Sequence, residues 1–344
     1  MTIGEIGEFA LIDRIRKLLP LPGEDVVVGI GDDVAVLKAD AERVWLATCD
    51  VQVEGSHFLR AAIDPVDLGH KALAVNLSDV ASAGGRPRFA LVSLGLPRDL
   101  DLAFIEGLYE GLRAEAEPLG VDIVGGNISS VRHGLFIDIF LLGEAPRDEV
   151  VLRSGARPGD RILVTGSLGD AAAGVALLLD PSLEMEAAYA SRARVRRDRP
   201  SPRVREGRLI GAAKTATAMI DLSDGLAGDL GHLCEKSAVS ARIFASALPV
   251  EAANRTFSAS AKGDEWHLAL HGGEDYELLF TSPPDKAGRL AEEIRKATGL
   301  RVTEIGEILE AGQAPEFVLP DGKTVGFGGG GWDHFSIVKG RVER

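Results

Sequence analysis

"DPVDLGHKALAVNLSDVASAGG" (Asp64–Gly85) is the stretch on which the fold turns. Pro65 carries the fixed φ that suits the first turn of a helix, and Gly84 suits its end. The spacing therefore predicts one helix. What flanks it decides the architecture. Upstream are two strand-like runs, "DVVVGIGDDVAVLK" (Asp25–Lys38) and "RVWLATCDVQVEG" (Arg43–Gly55). Downstream "RFALVSLGLP" reads as a strand, "LDLAFIEGLYEGLRAEAEPLG" as a helix, and "VDIVGGN" and "LFIDIFLLGEA" as strands. Residues 5–18 have helical spacing, with Ile6, Phe9, Ile12, Ile15 and Leu18 apolar. The order α-β-β-α-β-α-β-β contains a β-α-β followed by α-β, the split-βαβ or ferredoxin-like pattern.

A break falls in "APRDEVVLRSGARPGD", so the expected units are residues 1–148 and 149–344. The second restarts with a strand, "RILVTG", and a helix punctuated by glycine, "SLGDAAAGVALLL". "REGRLIGAAKTA" is a further helix, "TAMIDLSDGL" a strand running into a turn, and "AGDLGHLCEKS" a helix. "LALHGGEDYELLFT" holds a strand behind a glycine turn, and "AGRLAEEIRKATG" is an amphipathic helix. The fold class is mixed α/β (α+β): a ferredoxin-like first unit, then a larger α/β unit with a mixed sheet.

Composition narrows the function. The 344 residues carry a net charge of −14, with 45% hydrophobic residues. Ordinary cores are within reach, but a nucleic-acid or anionic-membrane binder needs a basic face. Small anionic substrates remain compatible, because bound cations reverse a local field. Two cysteines, Cys49 and Cys234, form no disulfide framework. "MTIGEIGEFALIDRIRK" has acids where a signal peptide has bases, and no apolar stretch reaches membrane-spanning length. A cytoplasmic protein is expected.

Acids stand beside Gly, Ser or Thr at apparent strand ends: "GIGDD" (Asp32, Asp33), "ATCD" (Thr48, Asp50), "NLSD" (Ser78, Asp79), "DLSD" (Asp221, Asp224) and "GGED" (Glu274, Asp275). Any one of these reads as a turn or a helix cap. Their repetition points to Mg²⁺, which takes hard oxygen ligands and turns an acidic groove into a polyphosphate site. No Walker-type GxxxxGK[ST] occurs, and "GSLGDAAAG" is not GxGxxG. Their spacing in sequence does not say whether these acids converge.

In number and order these motifs resemble the thiamine-monophosphate kinase family of the PurM-like ATP-binding superfamily. The resemblance also takes in "GEFALIDRI", "CDVQVEGSHF", "LRSGARPGD" and the closing "WDHF". It implies ATP-dependent phosphorylation of thiamine monophosphate to thiamine diphosphate, several Mg²⁺ ions, and a homodimer formed through the first unit. By motif, Asp33, Thr48, Cys49, Asp50, Asp79, Asn127, Asp221 and Asp224 match the metal shell. Tyr109, Gly126, Asn127, Arg153 and Ser223 match the ATP side, and His57, Glu274 and Trp332 the thiamine side. No general base is expected, because a phosphate monoester is already anionic at pH 7. The chain departs from the family at Asn127, where Asp is usual, and at Cys49, where Thr is usual. Two alternatives stay open: another PurM-like ATP-using synthetase, and a non-catalytic nucleotide-binding homologue.

Overall fold

The computed structural model describes residue 5 and residues 7–327, so Trp332 and its "WDHF" motif lie outside the described residues. Helix α1 (Glu8–Leu18) precedes β1 (Val26–Val28), β2 (Ala35–Lys38) and β3 (Arg43–Val53). The run 25–38 is thus two strands rather than one. Gly29, Gly31 and the Asp32–Asp33 pair interrupt it, residue types that a strand interior disfavours. Then come α2 (Pro65–Ser82), β4 (Arg86–Pro97), α3 (Leu102–Leu119), β5 (Asp122–Val131) and β6 (Phe136–Pro146). The sheet order is β1-β2-β3-β6-β4-β5. β6 lies between β3 and β4 and is antiparallel to both, which makes β3-α2-β4 a split βαβ unit.

The second sheet has the order β13-β12-β9-β11-β7-β10-β8. Its elements begin with β7 (Arg161–Thr165), α4 (Asp170–Leu179), α5 (Ala187–Asp198), α6 (Val204–Ala213), β8 (Ala218–Asp221) and α7 (Leu226–Ser237). They continue with β9 (Ser240–Phe244), α8 (Ala252–Lys262), α9 (His267–His271) and β10 (Leu278–Ser282). α10 (Pro284–Thr298), β11 (Val302–Leu309), β12 (Glu316–Val318) and β13 (Thr324–Gly326) complete it. All pairings are antiparallel except β12 with β9. α5, α8, β9 and β11–β13 were not legible in the sequence. α5 shows why: its arginines hide a narrow contact stripe, Tyr189 and Ala193, that packs on α4.

α2 is the axis of the molecule. Asp64 caps it by accepting from the Val66 N–H at 2.9 Å, and Pro65 occupies its first turn. It packs on α3, β3 and β6 of the first half and on α6 and β8 of the second. Gly69 and Gly111 let α2 and α3 meet closely. A Cβ at Gly69 would lie 2.0 Å from the Leu108 carbonyl oxygen, and one at Gly111 1.9 Å from that of Val66. Covered from both sides, α2 is buried nearly all round. One core cluster joins its Leu73 and Leu77 to Leu46 and Ile139 of the first sheet and Met219, Leu278 and Phe280 of the second.

Candidate active site

The carboxylates gather around the C-terminal half of α2. Ser78 and Ser82, one turn apart, donate to acids from different segments. Ser78 Oγ donates to Asp221 Oδ2 at 2.6 Å, and Ser82 Oγ to Asp33 Oδ2 at 2.7 Å. Asp79 lies between them and accepts from Thr48 Oγ1 of β3. The Asp50 N–H donates to Asn76 Oδ1 at 3.0 Å, tying the end of β3 to the same helix. One carboxylate oxygen each from Asp33, Asp79 and Asp221 lies within 4.8 Å of the others.

Such proximity is costly unless a cation or protons compensate it. Burial, then the charges of Asp50, Asp221 and Asp33, holds the Asp79 carboxyl well above the usual carboxylate range. Burial and Asp33 push Asp221 up to about 8. Arg153 is the nearby cation. Its Nε donates to Asp33 Oδ1 at 2.8 Å, its Nη2 donates to the same oxygen, and its backbone N–H donates to Asp32 Oδ2 at 3.2 Å. Asp32, desolvated beside Asp33, is pushed up to about 6.

A second loop completes the site. The Glu274 and Tyr276 N–H groups donate to the Ser223 and Leu222 carbonyls, both at 2.8 Å, so "GGEDYE" is laced to "DLSD". A Cβ at Gly273 would stand 2.3 Å from the Ser223 carbonyl oxygen, which leaves only glycine there. Glu274 accepts from Lys71 Nζ of α2 at 2.6 Å. The neighbouring acids have other tasks. Asp275 accepts from the Gly169 N–H at the start of α4, and Glu277 is bound by Arg203 and Thr165. Asp229 is a buried cap. It accepts from the Asp224 and Gly225 N–H groups at 3.1 and 3.0 Å, ahead of α7.

A cavity of about 1200 Å³ opens over these groups. Of the sequence-predicted residues, Asp33, Thr48, Asp50, Asp79, Asp221 and Asp224 line it. So do Arg153, Ser223, His57, Glu274 and Cys49. His57 Nδ1 accepts from the Val53 N–H at 2.9 Å, which fixes its ring. The Cys49 thiol, however, faces away from the acid cluster. Thr48 and Cys49 are consecutive on β3, so they point to opposite faces, and Cys49 Sγ donates to Asp138 Oδ1 at 3.1 Å on the open face. Gly126 and Asn127 lie on the edge strand β5 and Tyr109 on α3, and none of the three lines the cavity. Sequence reasoning missed Ser82 and Lys71, although their placement at i+4 from Ser78 and seven residues before it was visible. It also missed α1 as cavity wall, where the Phe9 ring stacks on that of His232 at 4.0 Å.

The motifs have counterparts in known proteins. A model of the AIR synthase related protein N-terminal domain matches residues 31–145, and one of the C-terminal domain matches residues 157–316. The chain is 40% identical over 335 residues to a thiamine-monophosphate kinase of Aquifex aeolicus, spanning 97% of this chain and 100% of that one. The chain belongs to the thiamine-monophosphate kinase family. Another member, from Salmonella typhimurium, is 39% identical over 333 residues, 96% of this chain and 98% of that one. Among solved members of the family, AaThiL complexed with AMPPCP and TMP superposes with a TM-score of 0.81 at 39% identity, over 97% of this chain and 99% of that chain.

Proposed function

We propose that this protein transfers the γ-phosphoryl group of ATP to the phosphate of thiamine monophosphate, giving thiamine diphosphate and ADP. The observation that carries this, within the family, is the three-carboxylate cluster on the wall of a cavity large enough for two ligands. The donor set suits Mg²⁺, which takes carboxylate oxygens and little else from proteins. Asp33, Asp79 and Asp221 would hold it, with Asp50 and Asp224 beside them. Bound there, it would neutralise phosphate charge and orient the phosphoryl oxygens.

The chain's own groups do the positioning. Ser78, Ser82 and Thr48 hold the acids in place without neutralising them. Arg153 adds a fixed positive charge at the Asp33 side. The acceptor oxygen is already anionic, so no side chain has to remove a proton. Binding two polyanions in line is the task, and positioning with charge stabilisation meets it.

A homodimer through the first sheet belongs to the same reading. β5 is three strands from β3, about 14 Å at ordinary strand spacing, so Asn127 is far from its own Asp50. Asn127 shares the open sheet face with Val51, Leu91 and Phe140, all exposed. A second copy packed on that face would cover these apolar groups and bring its Asn127, Gly126 and Tyr109 to the cavity. The reading treats residues 1–148 and 149–344 as two units, and the enzyme as cytoplasmic. Among the described residues no helix is long and apolar enough to cross a membrane. The test is direct: purified protein with ATP, Mg²⁺ and thiamine monophosphate should form thiamine diphosphate. No product above background across metal and salt conditions would reject it.

A further inference from the structure

Thr48, Asp50 and Gln52 alternate along β3, so their side chains share the face turned to α2, and all three line the cavity. Thr48 donates to Asp79, and the Asp50 N–H donates to Asn76. Gln52 has no such tie. It is 4% exposed, and its Oε1 has no hydrogen-bond partner among the described residues.

A buried amide group without a partner loses its hydration and gains nothing in return. A methionine of similar length would fill the space without that loss. Buried polar groups are hydrogen-bonded almost everywhere in proteins, so each exception calls for an explanation. Here the exception stands in the wall of the cavity that holds the carboxylate cluster.

Position and chemistry identify the ligand. At ordinary strand rise Gln52 lies about 13 Å along β3 from Thr48. The phosphoryl groups belong at the Thr48 end, beside the carboxylates, so Gln52 meets the far end of the molecule that carries the phosphate. The turn after β3 folds His57 back onto the Val53 N–H, and Phe58, Leu59 and Ile63 add apolar wall suited to a flat ring. A primary amide offers an acceptor and a donor side by side, the complement of an amino group next to a ring nitrogen. Gln reads adenine by the same pairing. Thiamine monophosphate carries such an edge on its aminopyrimidine ring, at the end away from its phosphate. We propose that the Gln52 amide reads this ring, its oxygen accepting from the exocyclic amino group and its NH₂ donating to the adjacent ring nitrogen. This rests on the kinase reading of the same cavity. Adenine has a similar edge, but none of the residues matched to ATP by motif lies on β3, whereas His57, matched to the thiamine side, is bonded to the residue next to Gln52.

The test compares thiamine monophosphate with an analogue in which phenyl replaces the aminopyrimidine and the thiazolium and phosphate are kept. Each is titrated calorimetrically into protein saturated with Mg²⁺ and a non-hydrolysable ATP analogue. Wild type should bind thiamine monophosphate at least tenfold more tightly, since a bidentate amide pair discriminates by about tenfold to a hundredfold. Gln52→Met should narrow that ratio to within about threefold, with the phenyl analogue bound no more weakly and the affinity for the ATP analogue unchanged. Ligand-free Gln52→Met should melt no lower than wild type, because it loses an unanswered buried group. A lower Tm would mean that the amide is already satisfied inside the protein, and equal weakening of both acceptors would make Gln52 a packing residue. Weaker binding of the ATP analogue would assign Gln52 to adenine. Each of these overturns the proposal, as does a wild type that binds both acceptors alike, a result that needs no variant. If wild type makes no thiamine diphosphate, the kinase reading falls. If it does and Gln52→Met keeps the wild-type ratio, only the assignment of Gln52 falls.

Discussion

Replacing Asp221 by Asn removes one charge from the cluster and almost no volume, and Ser78 can still donate to the remaining carbonyl oxygen. In metal-free protein this should stabilise the fold. The carboxylate oxygens of Asp33, Asp79 and Asp221 lie within 4.8 Å of one another. At an effective dielectric near 20, two ionised groups at that separation repel by about 3.5 kcal/mol. Burial and Asp33 already raise Asp221 to about 8, so protons relieve most of this near neutrality. About 1–2 kcal/mol should remain to be recovered, or a rise in Tm of a few degrees. The folded pKa lies above the ordinary carboxylate value of 3.8, so the folded state holds the extra proton between those limits. Metal-free stability therefore falls as pH rises through that window, and Asp221→Asn should flatten the fall. Mg²⁺ should reverse the ranking. Saturation at a hundred times Kd adds about 2.7 kcal/mol to wild type, and the variant should lose more than half of that gain. Thermal unfolding at pH 7.5, in EDTA and in Mg²⁺, reads both effects. A variant less stable than wild type in EDTA, with an undiminished Mg²⁺ response, would refute the reasoning.

Two further predictions test the assembly and the frame. If each site takes Asp50 from one protomer and Asn127 from the other, inactive Asp50→Ala and Asn127→Arg chains mixed one to one should recover about a quarter of wild-type activity. No recovery despite hybrid formation, checked with two affinity tags, would place both residues in one protomer's site. His70 on α2 faces the Glu115 carboxylate and the Pro200 carbonyl, each at 2.8 Å from one ring nitrogen. Burial opposes its charge, but Glu115 and Pro200 outweigh burial and raise its pKa above the ordinary value. The resulting stability is fully present below pH 6.5 and lost as pH rises through the folded pKa. The stability difference between wild type and His70→Gln should then shrink by about 1 kcal/mol from pH 6 to pH 8.5 in urea denaturation; a constant difference would leave the ring neutral.

The sequence announced the acids but not their meeting. Positions 33, 50, 79 and 221 share no period, and what joins them is α2, clamped between two sheets that the sequence presents as separate halves. Alternation along β3 was legible, and it already implied that Thr48 and Cys49 cannot both face the cluster. The usual Thr hydroxyl is therefore not missed among these acids, and the departure at Cys49 concerns the open face instead. Asn127 was legible as a residue but not as a distant one, because strand order is a property of the sheet and not of the chain.

How each acid is held separates the structural from the functional. Glu277 is locked by Arg203, and Asp198 by Arg197, so their charges are cancelled inside the protein. Asp79 and Asp221 are held by the hydroxyls of Thr48 and Ser78. A hydroxyl fixes a carboxylate's direction yet leaves its charge to be answered from outside. Asp33 is intermediate, with Ser82 on one oxygen and Arg153 on the other. Within a chain of net charge −14, such a cluster needs protons or a cation to compensate it. Glu277 and Asp198 thus bring their own cation, whereas the proposed function gives Asp79 and Asp221 one that arrives with the substrate.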